Sequence, residues 1–162
     1  MRRAYQKQEA LDWIVALPAG LIAGLAYIIA QAVLHTLTIG GGASATARYV
    51  AATLIGRTWP PPAAGVPIAD TALAVVVHLA LSALLGLILA IIVYRWRLLI
   101  TVAVGLVFGL VLYLAVYYGL QSRFAWLADY RGWMSLVSYL LFGGVAAFVY
   151  ELVERDRIVS SR

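Results

Sequence analysis

Four long apolar stretches alternate with short polar ones along the chain. They run from about Trp13 to Thr38, Ile68 to Tyr94, Leu98 to Leu120 and Met134 to Leu152. A helix needs roughly 20 mostly apolar residues to cross a bilayer. In hydrocarbon, a helix also satisfies its own backbone hydrogen bonds. The pattern therefore predicts an all-α integral membrane protein: one membrane domain over residues 1–162, built as a bundle of four transmembrane helices. The link between the second and third spans is only "YRWR", residues 94–97. So short a link predicts that those two helices are antiparallel neighbours. Trp13, Tyr94, Trp96, Trp126, Tyr130 and Trp133 stand at the span ends, as interfacial aromatic belts require.

The first link, residues 39–67, is long. "GGGAS" opens it and "WPPPAAGVP" closes it. Between them, "ATARYVAATLIGR" reads as a short helix lying in the interface. Its Arg48 and Arg57 would face water, and Tyr49, Val50, Leu54 and Ile55 would face lipid or protein. The prolines at 60–62 favour a stiff polyproline segment. The plain reading is a tether across the bundle, and the sharper one is a docking surface.

Composition agrees with the pattern. The chain is 64% hydrophobic and 12% charged, with a mean hydropathy of +0.94. A soluble domain is about half apolar and about a quarter charged. The net charge of +5 does not point to nucleic acid, because the basic residues sit at segment ends rather than on one face. Arg2, Arg3, Lys7, Arg95, Arg97, Arg155, Arg157 and Arg162 fall on one side of the predicted topology. Arg48, Arg57, Arg123 and Arg131 fall on the other. The richer side is expected to be cytoplasmic, with both termini on it, in a bacterial plasma (inner) membrane. Arg2 and Arg3 before an apolar run, with "ASA" at 43–45, resemble a signal peptide. The run far exceeds an h-region of about 7–15 residues, so an uncleaved first span is expected.

The spans share rows of small residues. "GLIAGL" at 20–25 is echoed by "GLVFGL" at 105–110. The second span carries His78, Ser82, Gly86 and Ala90 at four-residue spacing. The fourth carries Ser135, Tyr139, Gly143, Ala147 and Glu151 at the same spacing. Aligning Gly86 with Gly143 and Gly20 with Gly105 suggests a helical hairpin used twice, as a parallel repeat. Lipid tails are as apolar as leucine, so membrane helices associate through close packing, and small residues four apart permit it. Gly20, Gly24, Gly86, Ala90, Gly105, Gly109, Gly143 and Ala147 are expected to pack helix on helix.

Reactive chemistry is hard to find. Without cysteine there are no disulfides, thiolate metal sites or cysteine nucleophiles. No glycine-rich phosphate loop, HExxH motif or paired carboxylates occur. Asp12, Asp70, Asp129 and Glu151 lie near segment ends, so a mid-membrane carboxylate relay is absent. What remains is a polar strip toward the outer leaflet. It comprises Gln31, His35 and Thr38 on the first span, His78 and Ser82 on the second, Tyr113 and Tyr117 on the third, and Ser135, Ser138 and Tyr139 on the fourth. Such groups turn inward and bond each other.

The two histidines invite a haem. However, His35 lies roughly 5 Å and His78 roughly 15 Å inside their spans at 1.5 Å per residue, whereas axial ligands share one depth. No metal, haem or other cofactor is expected. His78 is expected to be neutral and buried against other helices. Its hydrogen bond would go to a hydroxyl or a backbone carbonyl, with Tyr113 or Tyr117 within reach. The leading expectation of function is an accessory, non-catalytic subunit of a larger membrane complex, energy-transducing (respiratory or photosynthetic, in electron transport), whose partners are lipid and other membrane subunits. The alternative is a small transporter, channel or permease component using the polar strip. A third reading is a redox or quinone protein that uses the histidines, with His78 and Tyr113 as the candidate quinone donors.

Overall fold

A computed structural model of the protein describes residues 13–39, 68–94, 96–125 and 127–160. Within them run α1 (Trp13–Ile39), α2 (Ile68–Val93), α3 (Leu98–Leu114), α4 (Leu127–Tyr130) and α5 (Trp133–Ser160). Helix α3 continues through a π-helical turn, Ala115–Gly119. Among the described residues 90% are helical and none is in a strand. Four helices are long and apolar enough to cross a bilayer: α1, α2, α3 with its π turn, and α5. The chain is an all-α membrane protein with a four-helix bundle.

One span bound differs from the sequence reading, one short helix adds to it, and one expected helix is not described. Helix α5 runs on to Ser160, past the apolar stretch that ends near Leu152. The single-turn α4 lies in the link between the third and fourth spans. The interfacial helix expected after residue 39 falls in residues 40–67, outside the described residues.

Helix α1 packs between α2 and α5, and α5 packs between α1 and α3. Accordingly, 39% of the spanning windows of α1 and α5 is buried, against 22% for α2 and α3. Helices α2 and α3 scarcely touch, which corrects the expectation that their short link makes them packed neighbours. The link holds their ends together: Tyr94 N–H donates to Ala90 O, Trp96 N–H donates to Val93 O at 2.8 Å, and extended Arg97 opens α3. Beyond that point each helix is claimed by a different partner through a glycine row, so nothing draws the two together.

Those rows form two seams. In the α1–α2 hairpin, a Cβ on Gly20 would strike the Ser82 carbonyl and the Gly86 Cα. One on Gly86 would strike Gly20 and approach the Ala16 carbonyl. One on Gly24 would strike the Ser82 side chain. In the α3–α5 hairpin, Gly109 lies against the Tyr139 carbonyl, Gly143 against the Gly105 carbonyl and Gly109 N, and Gly105 against the Gly143 carbonyl and Ala147. These backbones touch because neither carries a side chain at the crossing.

Aligning the two hairpins on Gly86 and Gly143 changes the register of the repeat. Gly86 faces Gly20 and Ala16, while Gly143 faces Gly109 and Gly105. Gly20 therefore corresponds to Gly109 and Ala16 to Gly105. The strings "GLIAGL" and "GLVFGL" are one helical turn out of step. The two hairpins meet through α1 and α5. There Val15, Ala16, Ala19, Ala23 and Tyr27 share a buried cluster with Phe142, Ala146, Ala147 and Tyr150, which Leu89, Ala90 and Val93 of α2 join.

Candidate functional site

The polar side chains of the spans gather where the end of α1, the π turn after α3 and the start of α5 converge. Tyr27, Gln31 and His35 lie on one face of α1, spaced by four residues, and all three are buried. Opposite them, α5 begins with Ser135, Ser138 and Tyr139, of which the two serines are wholly buried.

Ser135 is the hub. Its hydroxyl donates to the Tyr130 carbonyl at 2.8 Å. It accepts the Tyr117 hydroxyl at 3.0 Å and the Gln31 amide at 3.2 Å. Gln31 also contacts His35 Nε2 at 3.1 Å, and the His35 ring stacks on Tyr130 at 5.2 Å. Ser138 donates to the Met134 carbonyl of its own helix at 3.0 Å. The π turn explains how Tyr117 reaches the hub. Tyr113 and Tyr117 stay on the buried row of Thr101, Gly105 and Gly109, while Tyr118 turns out to lie under the Arg131 guanidinium at 4.9 Å. Single π turns of this kind occur often at functional positions.

One turn deeper is an aromatic layer. Tyr139 meets Tyr27 edge-on at 5.0 Å, and Tyr113 and Tyr117 each at 6.1 Å. Such edge-to-face pairs each contribute about 0.5–1.5 kcal/mol beyond burial. His78 closes the layer from α2. Its ring stacks on Tyr27 at 5.3 Å, and its Nε2–H donates to the Gly24 carbonyl at 3.2 Å. The backbone-carbonyl partner is of the kind expected. The expected tyrosine is not: α1 supplies Tyr27, whereas Tyr113 and Tyr117 belong to α3 and its π turn, and α2 scarcely touches α3. His78 is half-buried rather than enclosed.

The structure thus brings Gln31, His35, Tyr117, Ser135 and Tyr139 together, with Tyr113 alongside. His78 joins only through Tyr27. Ser82 lies apart in the α1–α2 seam, against Gly20 and Gly24. The side chain of Thr38 lies outside the described residues. His78 and His35 stack on rings at different levels, since Tyr27 and His35 are two turns apart on α1. Tyr27 and Tyr130 are the members that sequence reasoning missed. Tyr27 was visible as the residue four before Gln31. Tyr130 enters through its backbone carbonyl and ring, which no spacing announces. At the other end of the bundle Glu151, which sequence places near a span end on the row of Gly143 and Ala147, is buried, as is Glu154. Among the described residues no group of three His, Asp or Glu side chains could hold a metal ion. The chain matches no family model, no curated protein and no solved structure.

Proposed function

We propose that the chain is an accessory, non-catalytic subunit of a larger membrane complex, of an energy-transducing kind, set in a bacterial plasma membrane with both termini in the cytoplasm. One observation carries this reading. Among the described residues, α2 and α3 share a four-residue link yet hardly pack on each other. Each buries only 22% of its spanning window, and both offer unbroken apolar faces, with Leu73, Val76, Leu84, Ile88, Leu99, Val107 and Val111 exposed. Such a shape suits packing against further transmembrane helices. The polar groups support it, because Ser135 ties α1 and the π turn after α3 to α5 through Gln31 and Tyr117, as structural glue does.

A transporter component is the second reading, and the polar cluster around Gln31 and Ser135 favours it. The cluster gives way to Ala19, Ala23, Phe142 and Ala146 deeper in the bundle. These leave no chain of polar groups through the α1–α5 seam.

Purification of the native protein in mild detergent, followed by mass spectrometry, tests the subunit reading. Stoichiometric membrane partners are expected, and a chain that purifies alone at native abundance overturns it. Topology is tested separately with Lys7→Cys and Ala63→Cys in intact cells. An impermeant thiol reagent should label only position 63, and labelling of position 7 would reverse the orientation.

A further inference from the structure

One polar atom at the Ser135 hub lacks a partner, and the bond beside it depends on a proton. Gln31 is only 3% exposed, and its Oε1 makes no hydrogen bond among the described residues. A buried acceptor left unpaired carries a desolvation penalty. The nitrogen of the same amide lies 3.1 Å from His35 Nε2. That contact is a hydrogen bond only while Nε2 is bare, because two donors do not bond each other.

The bonds around Gln31 run in one direction. The single proton of Ser135 goes to the Tyr130 carbonyl. The Ser135 oxygen accepts from Tyr117 and from the Gln31 nitrogen. The second N–H of Gln31 then points at His35 Nε2, so the ring is neutral with its proton on Nδ1. The same heavy-atom positions admit one inverse. With the amide turned over, Oε1 takes the place of the nitrogen, within reach of both His35 Nε2 and Ser135 Oγ. It then accepts from a protonated Nε2, and the Ser135 proton swings to it from the Tyr130 carbonyl. Each arrangement leaves one end of the amide unpaired, Oε1 in the first and the nitrogen in the second. The proton on Nε2 therefore decides between them: an imidazolium forbids the first and supplies the donor that the second needs.

The surroundings leave that decision to His35. The ionisable groups of the packed elements are Tyr130 of α4, stacked on the ring, and Tyr117 of the π turn, bonded to Ser135. Arg131 lies over the Tyr118 ring, and His78 of α2 stacks on Tyr27, two turns along α1. His35 itself stands four residues before the end of α1 at Ile39, so a proton has one helical turn to pass.

We propose that His35 operates a latch: a proton on its Nε2 turns the Gln31 amide over and releases the Tyr130 carbonyl from Ser135. Tyr130 belongs to the link that leads into α5, and its bond to Ser135 ties that link to the first turn of the helix. The Tyr117 bond needs only the Ser135 oxygen and survives in both arrangements. The latch does not depend on the accessory-subunit reading, since a structural subunit and a transporter component could each carry it.

The test uses the full chain in lipid nanodiscs, with isotope labels in histidine, in the glutamine side chain and in the tyrosine carbonyls. Solid-state NMR follows it from about pH 8 to about pH 5, the range in which imidazole ordinarily titrates. His78→Gln assigns the ring signals. At the upper end His35 is expected to carry its proton on Nδ1 alone. As the pH falls, a second proton should reach Nε2, and the Gln31 amide and Tyr130 carbonyl signals should shift with the same midpoint. His35→Phe should abolish both shifts. Gln31→Leu should leave His35 titrating with the Tyr130 carbonyl signal fixed, and it decides the matter if His35→Phe does not fold. A neutral His35 with its proton on Nε2 overturns the proposal. So does a His35 that gains no second proton in this range, or one that gains it while the Tyr130 carbonyl signal stays in place.

Discussion

The two hairpins share one crossing but treat it differently. In α1–α2 the seam stays small-on-small through Gly20, Gly86, Gly24 and Ser82, and His78 lies near enough to reach the Gly24 carbonyl. In α3–α5 the seam begins with three glycines in backbone contact, Gly105, Gly109 and Gly143. It then meets tyrosines: Tyr113 stands where α1 has Gly24, and Tyr139 where α2 has Ser82. A ring at each position cannot be accommodated by two touching backbones. The second hairpin accordingly carries its π turn just past Tyr113 and fills the space with rings and the Ser135 hub. Small residues bring helices together, and the next side chains along the row decide whether the space becomes closed packing or a polar cluster.

The sharpest way to break the comparison is Gly143→Leu. Its side chain would enter the Gly105 carbonyl, with no flexible atom to yield. A loss at or above the upper end of the usual range of about 1–3 kcal/mol for overpacking is expected, read as unfolding in mild detergent. Gly86→Leu should act alike in the first hairpin. Wild-type stability in both variants would remove the seam assignment.

Ser135→Ala comes next. It deletes the acceptor of Tyr117 and Gln31 and the donor to Tyr130, and strands a buried amide. A cost of about 1–2 kcal/mol is expected, above the average of about 0.6 kcal/mol for one membrane hydrogen bond. The double-mutant cycle with Tyr117→Phe should show positive coupling, and strict additivity would mean that the hub does not act as a unit.

His78→Gln should cost about 0.6 kcal/mol or less. An amide can still donate to the Gly24 carbonyl, and only the stack on Tyr27 is lost. A loss of several kcal/mol would show that His78 supports more than the edge of the first seam. The smallest effect is expected at Gly144→Ala. Its Cβ would meet only the Leu106 side-chain tip at 3.2 Å, so stability within about 0.5 kcal/mol of wild type is expected. A large loss there would mean that α5 packs on a different face.

Much of this was legible in the chain because bilayer thickness and backbone satisfaction leave few choices. Four apolar stretches had to become four helices, and the glycines had to face protein. The register of the repeat was not legible. Matching "GLIAGL" to "GLVFGL" looks for glycine, whereas the crossing needs only smallness, and Ala16 serves where α3 has Gly105. The partner of His78 was missed for a related reason. A four-residue link implies adjacency, but adjacency at one end says nothing about which helix has the better seam. The hub was half legible. Gln31, Tyr117 and Ser135 stood out as polar groups in oil, while Tyr130 contributes a carbonyl, which every residue has.

The tether at residues 94–97 has a consequence for assembly. It joins two units that each close on their own seam and recognise each other through α1 and α5, so it contributes chain continuity and little else. Severed there, residues 1–95 and 96–162 are expected to behave as a split protein whose two halves reunite through α1 and α5. The joint is therefore where division of the chain is expected to leave a protein that still assembles, and failure of co-expressed halves to associate would refute it.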